Sequence, residues 1–120
     1  MKYKIEIDSA DLKAIRKKVS DLRAIDERGL SGALKSAANS AANDAKRKAP
    51  VDTGNLRSNI GFERSADGKS VEVFANAPYS GYVEFGTRFQ KAQPYFRPAI
   101  IKALAQLNRD LERLIKKAIS

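Results

Sequence analysis

The chemistry open to this sequence is narrow, because it contains no Cys, no His and no Trp. That removes disulfides, thiol nucleophiles, Cys/His zinc sites and every catalytic scheme built on imidazole. Paired carboxylates could still do acid–base work. The 14 acidic residues, however, are scattered, only Asp26 and Glu27 being adjacent, and fall mostly on faces expected to be exposed. Gly54, Gly61, Gly68, Gly81 and Gly86 form neither a GxGxxG nor a Walker loop, so no phosphate cradle is encoded. No run of acids has calcium-loop spacing. No serine sits in GxSxG or SxxK. The expectation is a protein that is not an enzyme and carries no cofactor or metal.

Cations are what the chain has in excess. Its 23 Lys+Arg against 14 Asp+Glu give a formal net charge of +9 over 120 residues. Residues 1–50 carry 12 basic and 7 acidic groups, residues 51–100 carry 6 and 5, and residues 101–120 carry 5 and 2. The surplus thus falls in parts that read as helical, at Arg16-Lys17-Lys18, Lys46-Arg47-Lys48 and Lys116-Lys117. Such clusters are either solvated helix faces with cations near a C-terminus or a footprint for phosphate or an acidic protein. The first two are candidate DNA-facing clusters. Neither a signal peptide nor a bilayer-spanning apolar run is present, so no membrane partner is expected.

The elements that must position these groups follow from periodicity. Tyr3, Ile5 and Ile7 alternate with charged residues, the pattern of a half-buried strand. Ser9 then opens a short helix on Leu12, Ile15, Val19 and Leu22, with a connection around residues 26–29. A longer helix over 30–48 has a stripe made mostly of alanine, and Pro50 ends it. Residues 59–64 and 70–76 read as a hairpin around Asp67-Gly68. On its second strand Val71, Val73 and Ala75 face one way, and Phe74 on the other side implies that both faces are partly covered. Residues 79–85 fit a short helix or a third strand. Residues 86–94 have no period and read as an exposed loop. From Pro98, Ile100, Leu104, Leu107, Leu111, Leu114 and Ala118 recur at helical steps, widened by Ile101, Ile115 and Ile119. That helix must lie across the sheet or against the alanine-rich helix. The fold class is α+β, a small antiparallel β-sheet packed with an Ala-rich long helix and a long C-terminal helix. The chain reads as a single domain, 1–120, with an N-terminal strand and short helix over 1–28 and a core over 30–120.

Two segments are more specific than these general rules require. In the first, Pro50 stops a helix, Asp52 can accept backbone amides ahead of it beside Thr53, and Gly54 permits positive φ. Leu56 then returns to the core and Arg57 stays polar. The second contains Tyr82, Glu84, Phe85, Gly86 and Thr87, then Pro94, Phe96 and Pro98, the last of these at the first turn of the terminal helix. Arg57 and Glu84 lie one in each segment, which raises an ion pair between them as an expectation.

Together these segments make the chain resemble a family of small proteins from tailed double-stranded DNA bacteriophages and prophages, described as tail components or as neck, head–tail connector or tail-completion proteins. The resemblance lies in APVDTGNLRSNI, a hairpin, YSGYVEFGT, a variable loop and QPYFRPAI, in that order over residues 30–115. The N-terminal strand and helix are its least diagnostic part. Where family members often have a His near the variable loop, this chain has Gln90 and Gln93. The resemblance implies a structural virion protein at the neck or tail, present in the host cytoplasm during assembly. Its implied partners are head-completion, connector and tail proteins, further copies of itself in a ring, and double-stranded DNA passing close by without base readout. Arg88, Phe89 and Lys91 in the variable loop are candidate partner contacts. The other reading of the charge is a small basic module acting on free DNA or RNA.

Overall fold

A computed structural model describes residues 1–6, 27–50 and 55–119. The helix expected after Ser9, with Arg16, Lys17 and Lys18, and the turn residues Asp52, Thr53 and Gly54 lie outside the described residues. The elements are β1 (Lys2–Glu6), α1 (Glu27–Lys48), α2 (Asn55–Ser58), β2 (Ile60–Arg64), β3 (Ser70–Ala75), α3 (Ser80–Phe85) and α4 (Arg97–Ile119). The fold is α+β.

Three antiparallel strands form the sheet in the order β1-β3-β2. The period-2 pattern of β3 sends Val71, Val73 and Ala75 inward, each at most 2% exposed. Ile5 stands opposite Val71 and Ile60 opposite Ala75, so both outer strands add an apolar residue to the same face. Phe74 points the other way, directly opposite Gly61. A Cβ at position 61 would lie 2.9 Å from the Phe74 ring, so the ring's partial cover includes the glycine across the strand. Ser65 and Asp67 organise the hairpin turn. Asp67 Oδ1 accepts from the Ser65 hydroxyl at 2.6 Å and the Lys69 amide at 3.0 Å, which holds its pKa below the ordinary carboxylate value.

The third strand is therefore β1, and residues 80–85 take the helical alternative. The alanine-rich helix also starts earlier than its pattern suggests, at Glu27 rather than Leu30. One glycine in a first turn costs about 1 kcal/mol and does not by itself end a helix. Among its core positions, Leu34, Ala37, Ala38, Ala41, Ala42 and Ala45 are all no more than 3% exposed. At 100° per residue the buried positions cover about half the helix circumference, wider than a one-sided stripe. The reason is position: α1 packs against β2 and β3 on one side and against α4 on the other. Alanine lets both neighbours come close.

α4 is 23 residues long, about 34 Å, and it lies against α1. Its buried positions are Ala99, Ile100, Ala103 and Leu107, with Leu104, Leu111 and Leu114 partly buried against the same core. Ile101 does not widen that face as expected. It is 66% exposed, because one residue on from Ile100 turns it 100° away from α1. The side chains of Ile115 and Ile119 lie outside the described residues.

Candidate functional site

The end of the molecule formed by α3, the 86–94 loop and the start of α4 collects the second motif segment. At its centre is Glu84, 2% exposed. Its Oε2 accepts the backbone amides of Tyr95 and Phe96, both at 2.9 Å, and Oε1 accepts the amide of Arg97 at 2.8 Å. Arg97 is the first residue of α4 and Tyr95 and Phe96 lead into it, so the carboxylate gathers the N–H groups at the helix start, where the macrodipole also favours an anion. A buried carboxylate thus caps a helix from eleven or more residues away. Pro98 fits beside it because a helix's first turn needs no N–H there. The two halves of the motif segment are one structure joined by this side chain.

Arg57 and Glu84 do not pair. Arg57 Nε donates to the carbonyl of Lys46 at 2.9 Å, at the C-terminal turn of α1. A cation and donor suit that position, where helix carbonyls are left without partners. Leu56 is buried beside it at 3% exposure, and Pro50 follows the last turn of α1 half-buried. Of the first motif segment, then, Pro50, Leu56 and Arg57 all serve the junction of α1 with α2.

Around Glu84 the packing is tight. Phe96 is 4% exposed and Tyr95 fully buried, its hydroxyl donating to the Ser80 carbonyl at 3.4 Å. Burial raises the Tyr95 pKa above its ordinary value of 10.0. Gly86 ends α3 with φ +77°, and its amide donates to the Tyr82 carbonyl at 2.9 Å. A Cβ there would meet the Ala92 backbone nitrogen at 2.7 Å, so both the conformation and the close return of the loop demand glycine. The loop itself is hydrogen-bonded. The Thr87 hydroxyl accepts from the amides of Phe89 and Gln90, Thr87 and Gln90 exchange backbone bonds, and the Gln93 amide donates to the Val83 carbonyl at 2.9 Å.

On this held backbone, large apolar side chains point outward. Tyr82 is 64% exposed, Phe85 61% and Phe89 86%. Tyr79, Tyr82 and Phe85 are spaced three apart, so they share one face of α3. Arg88 stacks on Phe89 at 5.1 Å and Arg97 on Phe85 at 5.8 Å. Lys91 and Pro94 are exposed on the same loop. Between residues 77 and 109 the only acidic residue is Glu84, which is buried, whereas Arg88, Lys91, Arg97, Lys102 and Arg109 are all exposed. The aromatic face of α3 was not singled out by sequence reasoning. Its signal was the i, i+3 spacing of Tyr79, Tyr82 and Phe85, readable only once that segment is known to be helical.

A second polar feature lies between α1 and α4. Asp44, its side chain 6% exposed, forms an ion pair with Arg47 and faces the ammonium groups of Lys48 at 3.5 Å and Lys102 at 3.9 Å. It sits in a cleft of about 280 Å³ that Ser40, Asn43, Gln106 and Arg109 also line. Of the candidate cluster, Arg47 and Lys48 are exposed here, while Lys46 is half-buried and gives its carbonyl to Arg57. Among the described residues no group of three or more acids, His or Cys could hold a metal ion, and no helix is long and apolar enough to cross a membrane.

This geometry defines a scaffold whose buried carboxylate serves backbone amides and whose aromatics are turned outward. The family model described as "Bacteriophage HK97-gp10, putative tail-component" matches residues 13–86, more than half of the chain, and the protein belongs to that family of phage structural proteins. The match reaches into the N-terminal region that looked least diagnostic, and it stops at Gly86, before the segment that opens α4. No curated protein and no solved structure matches the chain.

Proposed function

We propose that this phage tail component joins the DNA-filled head to the tail, as a neck, connector or tail-completion protein, in several copies around the passage for DNA. The observation that carries the reading is the end of the molecule built on Glu84. Tyr82, Phe85 and Phe89 are exposed there on a backbone that is already hydrogen-bonded in place. Aromatic and arginine side chains dominate the energetics of protein interfaces, and a preorganised backbone lowers the ordering cost of binding. The excess of Arg and Lys around them selects a partner surface rich in acids. Such partners are head-completion, connector and tail proteins, together with neighbouring copies of this chain. The protein assembles in the host cytoplasm and ends in the virion. Its role is structural, with no reaction assigned.

Electron microscopy of an induced lysate lacking this gene tests the reading. Filled heads beside separate tails are the expected result, with tail length distinguishing a neck from a tail-end position. Normal particles would overturn it and favour a basic module acting on free nucleic acid.

A further inference from the structure

The exposed side of α4 carries a second surface. Lys102, Arg109, Arg113 and Lys116 are all exposed. At 100° per residue they fall within about 60° of one another, so they form a single line along the helix. The line is about 21 Å long at 1.5 Å per residue. It does not stop at the end of α4. Lys102 shares the Asp44 carboxylate with Arg47 and Lys48 of α1, which brings those two cations onto the same flank.

The neighbouring groups are Ser40, Asn43 and Gln106, all uncharged donors, with Arg109 held by the Gln106 carbonyl oxygen at 2.9 Å. Three acids temper the row, of which Glu112 is exposed, one helical turn from both Arg109 and Lys116. Asp44 is buried beneath it, and Asp110, partly buried, lies 3.8 Å from Arg113. The line bears no aromatic or large apolar side chain, unlike the α3 end.

We propose that this α1/α4 flank, carrying Arg47, Lys48, Lys102, Arg109, Arg113 and Lys116, contacts the phosphate backbone of duplex DNA without reading its sequence. A straight row in which cations predominate suits a target that is itself a regular line of negative charge. Duplex DNA presents one negative charge per roughly 1.7 Å of axis, about twelve over the length of the row. Flexible cations and uncharged donors bond phosphate oxygens and carry no base discrimination. The carboxylates of Asp44, Asp110 and Glu112 keep the attraction moderate, which lets a genome move past rather than stick. The biological setting of this contact rests on the neck reading, but the contact itself does not.

The test is fluorescence anisotropy of a labelled 24-base-pair duplex of arbitrary sequence with the full chain, from 50 to 200 mM salt. Four phosphate contacts give a log–log slope near −3.6, so affinity falls about 150-fold across that range. The variant K102Q/R109Q/R113Q/K116Q is expected to lose most of that slope and its low-salt affinity. A control, K2Q/K4Q/K35Q/K69Q, removes the same charge from exposed positions on the sheet and hairpin side, and is expected to keep the slope. The milder R109Q/K116Q pair should lose about half, with circular dichroism confirming that each variant folds. Equal losses in the stripe and control variants would overturn the proposal, since net charge alone would explain them. So would no binding at 50 mM, or a polyglutamate peptide competing as well as unlabelled duplex. None of these outcomes bears on whether deletion of the gene separates heads from tails, so the two readings fail independently.

Discussion

At the residue scale, the main fact is that one carboxylate performs the work of a cap for the longest helix. Three backbone amides converge on Glu84, and nothing in the local sequence of α4 offers a replacement. The residue before Arg97 is Phe96, not a Ser, Thr, Asp or Asn that could cap from the usual position. Glu84→Gln separates charge from shape. Its amide oxygen can still serve Tyr95 and Phe96, but its NH2 group then faces the Arg97 N–H, donor against donor. Loss of a charge-assisted bond and one unmet, part-buried amide should cost about 2 kcal/mol, and Glu84→Ala more. Urea denaturation of the purified protein measures it; a Glu84→Gln midpoint equal to wild type would show that the carboxylate does not hold the start of α4. This contact was not legible beforehand, because its acceptor is a side chain and its donors are backbone, which leave no residue-type signature. The Arg57–Glu84 pair looked plausible for the opposite reason, since opposite charges in two motifs invite pairing whether or not the fold brings them together.

At the scale of elements, what could be read from the chain was whatever repeats. The hairpin from Ile60 to Ala75 followed from alternation around Asp67-Gly68, and α4 from its 3- and 4-residue steps. What repeats does not report is which neighbour covers a face. The alanines of α1 and the misplaced Ile101 both show this, since the width of a buried arc depends on how many elements pack on it. The boundary at Glu27 has a similar cause: α1 continues through Gly29 because packing of later turns outweighs one poor helix former. Gly32 is different. It is exposed in α1, and a Cβ there would meet no atom within 4 Å. Gly32→Ala therefore removes only the entropy penalty of glycine and should raise stability by about 0.5 to 1 kcal/mol. That corresponds to a few degrees in Tm for a domain of this size. A Tm unchanged or lowered would mean that the first turns of α1 are not part of the cooperative unit.

At the scale of the whole molecule, charge and exposed apolar surface pull in different directions, and the separation between them makes a prediction about assembly. A net charge of +9 on 120 residues sets isolated copies against one another. The aromatic end, in contrast, favours association with whatever offers both acids and an apolar surface. Under the proposed neck role, the protein stays apart until a partner neutralises it and then adds copies side by side. Phe89 is where this can be tested without disturbing the fold. Its ring is 86% exposed, and the turn beneath it is held by the Thr87 hydroxyl and backbone rather than by the ring. Phe89→Ala should therefore change the stability of the isolated protein by no more than about 0.5 kcal/mol, the usual range for a surface position. In an interface the same truncation would remove a central aromatic, for which about 2 kcal/mol, or some thirtyfold in affinity, is a typical loss. In the proposed ring every copy suffers it, so the effect on the particle compounds. The expected outcome is a variant with wild-type Tm that fails to restore infectivity to a phage lacking the gene, with heads and tails lying unjoined in the lysate. Full infectivity from Phe89→Ala would show that the ring makes no essential contact and that the partner surface lies elsewhere on the molecule.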